Sequence, residues 1–149
     1  MELKVEEYVS KEMKRCNYLI GEIDAVYHEM ALKFGLSDSA MKILYAICDS
    51  GDCCLLQEIC RRSGVSKQTI NSAIRKLEAE GIVYLEQAEG KNKNVCLTKE
   101  GKNLAKQTVI RIMRAENDIF ASWTKEDVDK YLNLTEEFLA AMKKKAKDL

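Results

Sequence analysis

Eight apolar residues near the N-terminus, Val9, Met13, Cys16, Ile20, Ile23, Tyr27, Met30 and Phe34, recur at alternating steps of four and three. A heptad stripe sustained over this distance requires a helix, about residues 5–34, that packs lengthwise along another helix. The stretch contains no Pro and one Gly, so nothing breaks it, and Gly35 follows as its C-cap. The chain as a whole has 149 residues, no Pro and three Phe, which favours helices over many short strands. One domain is expected at this length, with a core that needs neither disulfide nor metal. An apolar share of 46% and a charged share of 32% fit a soluble globular chain. No apolar run approaches the roughly 18 residues of a membrane span, and the first residues lack a signal-peptide core. A cytoplasmic location with no membrane partner is therefore expected. Thiols in such a compartment stay reduced, so the six Cys are not read as three disulfides.

Further along, Ser37 or Asp38 can cap a second helix, apolar through Met41, Ile43, Leu44, Ile47 and Cys48, that ends at an Asp49-Ser50-Gly51-Asp52 turn. A short helix over 55–63 buries Leu56, Ile59 and Cys60 and stops at Gly64. Ser66 caps another over 67–80, with Ile70, Ala73, Ile74 and Leu77 inward and Gly81 as its stop. Two short helices joined at a Gly, the second rich in Gln, Asn, Ser, Thr, Lys and Arg, form a helix-turn-helix pattern. The period then changes: Ile82-Val83-Tyr84-Leu85 and Val95-Cys96-Leu97 read as two strands flanking a polar turn. Thr98 caps one long helix over 99–122. Thr124 and Asp127 at capping-box spacing, with Trp123 and Val128 at staple spacing, start a last helix that runs to about residue 147.

This order resembles the MarR family of winged helix-turn-helix regulators over about residues 5–147. The similarity is carried by Glu58-Ile59-Cys60, by Gly64-Val65-Ser66-Lys67-Gln68-Thr69-Ile70 and by Leu77-Glu78-Ala79-Glu80-Gly81-Ile82-Val83. It continues in Val95-Cys96-Leu97-Thr98-Lys99-Glu100-Gly101. The resemblance implies a mainly α fold with a small two- to three-stranded β-wing. A winged helix-turn-helix lobe (37–100) would be flanked by dimerisation helices (5–34 and 102–147), within a single domain over 1–149. It also implies a bacterial transcription regulator, a repressor, that acts as a homodimer on a pseudo-palindromic DNA operator. Where the family carries Asp-x-Arg in its wing, this chain has Glu89-Gly90-Lys91. Lys lacks the planar fork of Arg, so its insertion into a minor groove is weaker.

The residue types of the second short helix suit double-stranded DNA. Gln and Asn pair with adenine, Arg and Lys with guanine, and recognition helices read chiefly from their N-terminal residues. Gln68, Asn71 and Ser72 are expected to meet bases and Thr69, Arg75 and Lys76 to meet phosphates, with Lys67 also among the DNA-binding residues. Ser66 caps the helix, whose free N–H groups can also hold a phosphate. Lys91 and Lys93 place positive charge on the wing. The formal net charge of zero first argues against nucleic acid, but it is a cancellation. Residues 1–54 carry −4, residues 55–102 carry +3 and residues 103–149 carry +1, while 61–77 hold five cations and no acid.

Six thiols invite a redox or metal reading. Cys16, Cys48, Cys60 and Cys96 fall on apolar faces or strands and act as small hydrophobes, whereas Cys53-Cys54 is placed in an exposed turn. A peroxide-sensing branch of the family has a reactive Cys in its first helix. Cys16 lies in the right helix, but that branch has Tyr residues where this chain has Ser37-Asp38-Ser39-Ala40-Met41. Zinc spacing is missing and no metal or other cofactor is expected. Many members of the family hold a small aromatic or acidic ligand, and Tyr18, Tyr27, His28, Phe34, Met41 and Tyr45 are the candidates by helix position, with ordinary packing as the alternative. With one His and no nucleophile, phosphate-loop or dinucleotide motif, enzymatic activity is not expected. Two rivals stay open: a thiol-based redox regulator, and a winged-helix module that binds protein instead of DNA.

Overall fold

The computed structural model describes residues 1–149, and the chain divides between Val109 and Ile110 into two compact units. The first contains α1 (Lys11–Lys33), α2 (Asp38–Ser50), β1 (Cys53–Leu55), α3 (Leu56–Ser63), α4 (Lys67–Ala79), β2 (Val83–Gln87), β3 (Lys93–Leu97) and α5 (Lys99–Gln107). Then follow α6 (Val109–Ala121) and α7 (Lys125–Lys147). No helix is long and apolar enough to cross a membrane.

The first helix is shorter at its start than the stripe suggests. Val5–Glu7 is a single 3-10 turn, and the helix proper begins where Ser10 Oγ accepts the Met13 N–H. A local side-chain cap ends the fraying that an apolar Val9 alone could not prevent. Gly35, at φ 71°, turns the chain out of α1, and the Leu36 N–H returns to the Ala31 carbonyl at 2.9 Å. The stripe itself is covered unevenly, and Val9 is half-buried. Met13, Cys16, Tyr27, Met30 and Phe34 are half-buried, whereas Ile20 and Ile23 are exposed together with Tyr18, Leu19 and Val26.

The core of this unit forms around α2, whose Ile43, Leu44 and Ile47 are fully buried and which packs on α3, α4, β1 and β3. Ile59 of α3, Ile70 of α4, Val83 of β2, Val95 and Cys96 of β3 and Val109 are also sealed from solvent. The sheet is antiparallel in the order β1-β3-β2, so β3 is central. Pairings of Cys54 with Val95 and of Leu85 with Val95 turn one face to the core. Cys53, Cys96 and Tyr84 align on the other face.

Three expectations are corrected here. Cys53-Cys54 is not a turn: it lies in β1, because pairing with β3 supplies its hydrogen bonds, and Cys54 is buried. The thiols are not all free, since Cys53 and Cys96 form a disulfide across β1 and β3. The single helix over 99–122 is broken at Thr108 (φ −127°, ψ −91°). There the buried Thr108 hydroxyl donates to the Leu104 carbonyl at 2.8 Å, a back-bond that competes with helix continuation.

In the second unit, Thr124 Oγ1 accepts the Asp127 N–H at 3.1 Å and starts α7 as expected. The Trp123 ring packs edge-on against Tyr131 and at a tilt against Phe120, with centroids 5.5 and 5.3 Å apart. Leu132, Leu134, Phe138, Leu139 and Met142 of α7 remain exposed.

Candidate nucleic-acid interface

The turn between α3 and α4 is built by short-range chemistry. Gly64 takes the left-handed conformation (φ 65°), and Ser63 Oγ accepts the Val65 N–H at 3.2 Å. Ser66 Oγ accepts the Thr69 N–H at 3.2 Å and donates to Thr69 Oγ1 at 2.9 Å, so both hydroxyls are engaged in capping α4. Ile70, Ile74 and Leu77 anchor α4 on the core. This leaves Lys67, Gln68, Thr69, Ser72, Arg75 and Lys76 exposed and Asn71 half-buried on the opposite face. Lys67, Gln68, Asn71, Ser72 and Arg75 border one shallow depression.

Beside it lies a larger concavity that α4 shares with the wing. Lys67, Asn71 and Arg75 line one wall, Lys91, Asn92 and Lys93 another, and Gln57 and Cys60 of α3 the floor. Five of the residues expected to meet DNA are thus brought together. Gln57 is a participant that no motif or periodicity marks out. Its Nε2 donates to Asn92 Oδ1 at 3.0 Å and ties the first turn of α3 to the wing tip.

The tip is closed by main-chain bonds. Ala88 N–H donates to the Asn92 carbonyl at 3.0 Å and Asn92 N–H to the Glu89 carbonyl at 3.2 Å, while Gln87 Nε2 donates to the Gly90 carbonyl at 2.8 Å. Gly90, at φ 65°, permits this turn. Ion pairs sort the cations. Arg61 pairs with Glu58 at 3.1 Å, Arg62 with Asp49, and Lys102 with Asp52 at 3.3 Å. These pairs neutralise two of the five cations of 61–77, and positive potential concentrates on Lys67, Arg75, Lys76, Lys91 and Lys93.

The wing is set on the lobe by the Thr98–Gly101 segment. Thr98 Oγ1 accepts the Gly101 N–H at 3.0 Å and lies 2.6 Å from the Gly81 carbonyl and 3.1 Å from that of Ile82. Gly101 lets α5 sit directly on Ile82, for a Cβ there would fall 2.0 Å from the Ile82 carbonyl oxygen.

The ligand candidates are dispersed in burial. Met41 belongs to the sealed core, Tyr18 is exposed, and Tyr27, Phe34 and Tyr45 are half-buried. His28 Nδ1 lies 2.9 Å from the Asp38 carboxylate, joining α1 to the first turn of α2. Cys16 is a free, half-buried thiol on α1. Burial raises the Cys48 thiol to about 11, with the Asp52 carboxylate adding to the effect.

A helix-turn-helix whose second helix and β-wing share one cationic concavity defines a winged helix-turn-helix protein. Residues 34–91 match the sequence profile of the MarR family. An uncharacterized HTH-type transcriptional regulator of Bacillus subtilis (strain 168), YwoH, is 29% identical over 113 residues, 75% of this chain and 82% of that protein. NMB1585, a MarR family regulator from Neisseria meningitidis, superposes with a TM-score of 0.81 over 93% of this chain and 99% of its own, at 16% identity. NadR, solved in complex with 4-hydroxyphenylacetate, gives a TM-score of 0.69 over 93% and 96% of the two chains, at 13% identity. The chain is thus similar to the MarR family of transcriptional regulators over residues 34–91, and it shares the winged helix-turn-helix fold of the solved members.

Proposed function

We propose that the chain is a sequence-specific, double-stranded-DNA-binding repressor that acts as a homodimer. The observation that carries this reading is the shared concavity, where Lys67, Asn71 and Arg75 of α4 face Lys91 and Lys93 of the wing. Asn71 sits one turn from the α4 N-terminus, within reach of a base edge, and Gln68 and Ser72 flank it. The wing lysines supply sequence-independent phosphate contacts. Ser66 and Thr69, held in the cap, present the helix N-terminus to a phosphate. The exposed apolar side chains of α1 and, separately, of α7 support two-chain assembly, since patches of this kind are rarely left to water. In a two-fold dimer the α4 helices read half-sites about 10 base pairs apart. A small aromatic or acidic ligand is a further partner on this reading, by analogy with the 4-hydroxyphenylacetate complex of NadR. It would act through unequal affinity for two spacings of the recognition helices.

Selection from random double-stranded DNA tests the reading, with the oligomeric state followed by sedimentation. The expected result is a pseudo-palindromic site bound by two chains. A folded dimer that enriches no sequence at low salt would point to the protein-binding alternative, and a monomer at micromolar concentration would remove the two-fold geometry.

A further inference from the structure

The cross-strand pair Cys53–Cys96 lies outside the DNA-facing surface, yet it encloses that surface in sequence. The two residues are 43 apart. Every residue assigned above to DNA, from Ser66 to Lys93, lies between them, as does Gln57. The register places them directly opposite on β1 and β3, so the sulfurs meet without rearrangement of the strands. They differ in access: Cys96 is fully buried and Cys53 is half-buried. The third strand supplies a carboxylate, and Glu86 Oε2 lies 3.7 Å from Cys96 Sγ.

We infer that Cys53 and Cys96 form a reversible thiol oxidation site whose substrate is a low-molecular-weight disulfide, and whose closure fixes the wing in the geometry that receives DNA. The second half of this statement rests on the DNA-binding reading above. In the reduced chain the accessible Cys53 thiolate attacks one sulfur of R–S–S–R, forms a mixed disulfide and expels one RS⁻. Cys96 then passes its proton to the Glu86 carboxylate, attacks the Cys53 sulfur and expels the second RS⁻. Two electrons pass from the protein pair to the small disulfide, and the two protons lost by the cysteines end on the two released thiols. The reverse sequence reopens the pair.

The remaining cysteines do not compete for this step. Cys54 is buried on the core face, where the Ser50 hydroxyl donates to its sulfur at 3.4 Å. Cys48 is held as a thiol by burial, and Cys16 and Cys60, half-buried like Cys53, are free thiols on α1 and α3 without the cross-strand partner that Cys53 has in Cys96. The bond acts on the wing because β3 is the central strand: tying it to β1 restrains the hairpin that carries Lys91 and Lys93, and Asn92 at its tip is bonded to Gln57 just beyond β1. A wing restrained before binding loses less freedom on binding, so the oxidised chain should hold DNA about fivefold more tightly.

The test equilibrates the full-length chain in reduced and oxidised glutathione. Peptide mapping without reductant should link Cys53 to Cys96 and leave Cys16 free. Amide exchange through β1, β3 and residues 88–92 should slow about fivefold in the oxidised chain, a readout that needs no DNA. Affinity for the selected site should rise by a similar factor. Cys53→Ser should abolish all three responses, Cys16→Ser none, and Glu86→Gln should slow closure from the mixed disulfide. Linkage through another cysteine, a redox response that survives Cys53→Ser, or equal exchange in both states would overturn the inference. Failure to bind DNA with the mapping and exchange results intact would count against the DNA-binding reading instead.

Discussion

Replacing Gly101 by Ala isolates how the wing is set on its lobe. On helix propensity alone the change should stabilise α5, by about 1 kcal/mol. The packing opposes it. The new methyl would lie 2.0 Å from the Ile82 carbonyl oxygen, 3.1 Å from its carbon and 3.3 Å from Leu97 Cδ2. Relief requires the first turn of α5 to retreat from Ile82 by roughly 1 Å, a displacement of the kind that overpacking imposes at about 1–3 kcal/mol. The Ile82 carbonyl already accepts the Thr98 N–H at 3.1 Å and lies 3.1 Å from the Thr98 hydroxyl. Retreat weakens both contacts, at about 1 kcal/mol each. The costs exceed the propensity gain, and Gly101→Ala should destabilise the chain by about 2–4 kcal/mol. Thermal unfolding should fall by roughly 5–10 °C. Gly21→Ala in α1 is the control, because a Cβ there meets nothing within 4 Å and only the propensity gain remains. A Gly101→Ala chain as stable as the parent, with Gly21→Ala also raised, would refute the argument that α5 is seated on Ile82.

Two further outcomes follow from charge and burial. Lys91→Ala should weaken binding to all DNA sequences alike and reduce the slope of log affinity against log salt by about one, measured by anisotropy across salt concentrations. An unchanged slope would take the wing lysine out of the interface. Cys48, raised to about 11 from 9.0, should resist iodoacetamide at pH 8 about tenfold better than an unperturbed thiol, as followed by peptide mass spectrometry, because its smaller thiolate fraction is partly offset by a more nucleophilic thiolate. Because the unfolded thiol ionises first, this group's contribution to stability should decline as pH rises above 9.0 towards 11.

The boundaries that could be read from sequence are those fixed by a side chain within three residues of the backbone group it satisfies. Ser37, Ser66, Thr98 and Thr124 each accept an N–H three positions on, and the helices start there. What escaped was set by partners distant in the chain or by a choice between local bonds. β1 has three residues, too few for alternation to show, and exists because β3 pairs with it. Its disulfide partner is 43 residues away, and the period of either segment says nothing of the other. Thr108 offered no sign that its hydroxyl would favour the Leu104 carbonyl over an unbroken helix. The DNA-facing residues were legible as types on a helix face. The concavity they share also includes Gln57, whose bond to the wing residue Asn92 sequence position does not reveal. The charge pattern was legible in sign and misleading in detail. Five uncompensated cations over 61–77 become three once Glu58 and Asp49 fold against Arg61 and Arg62, so the share of the wing lysines in the field that DNA would meet rises from two charges in seven to two in five.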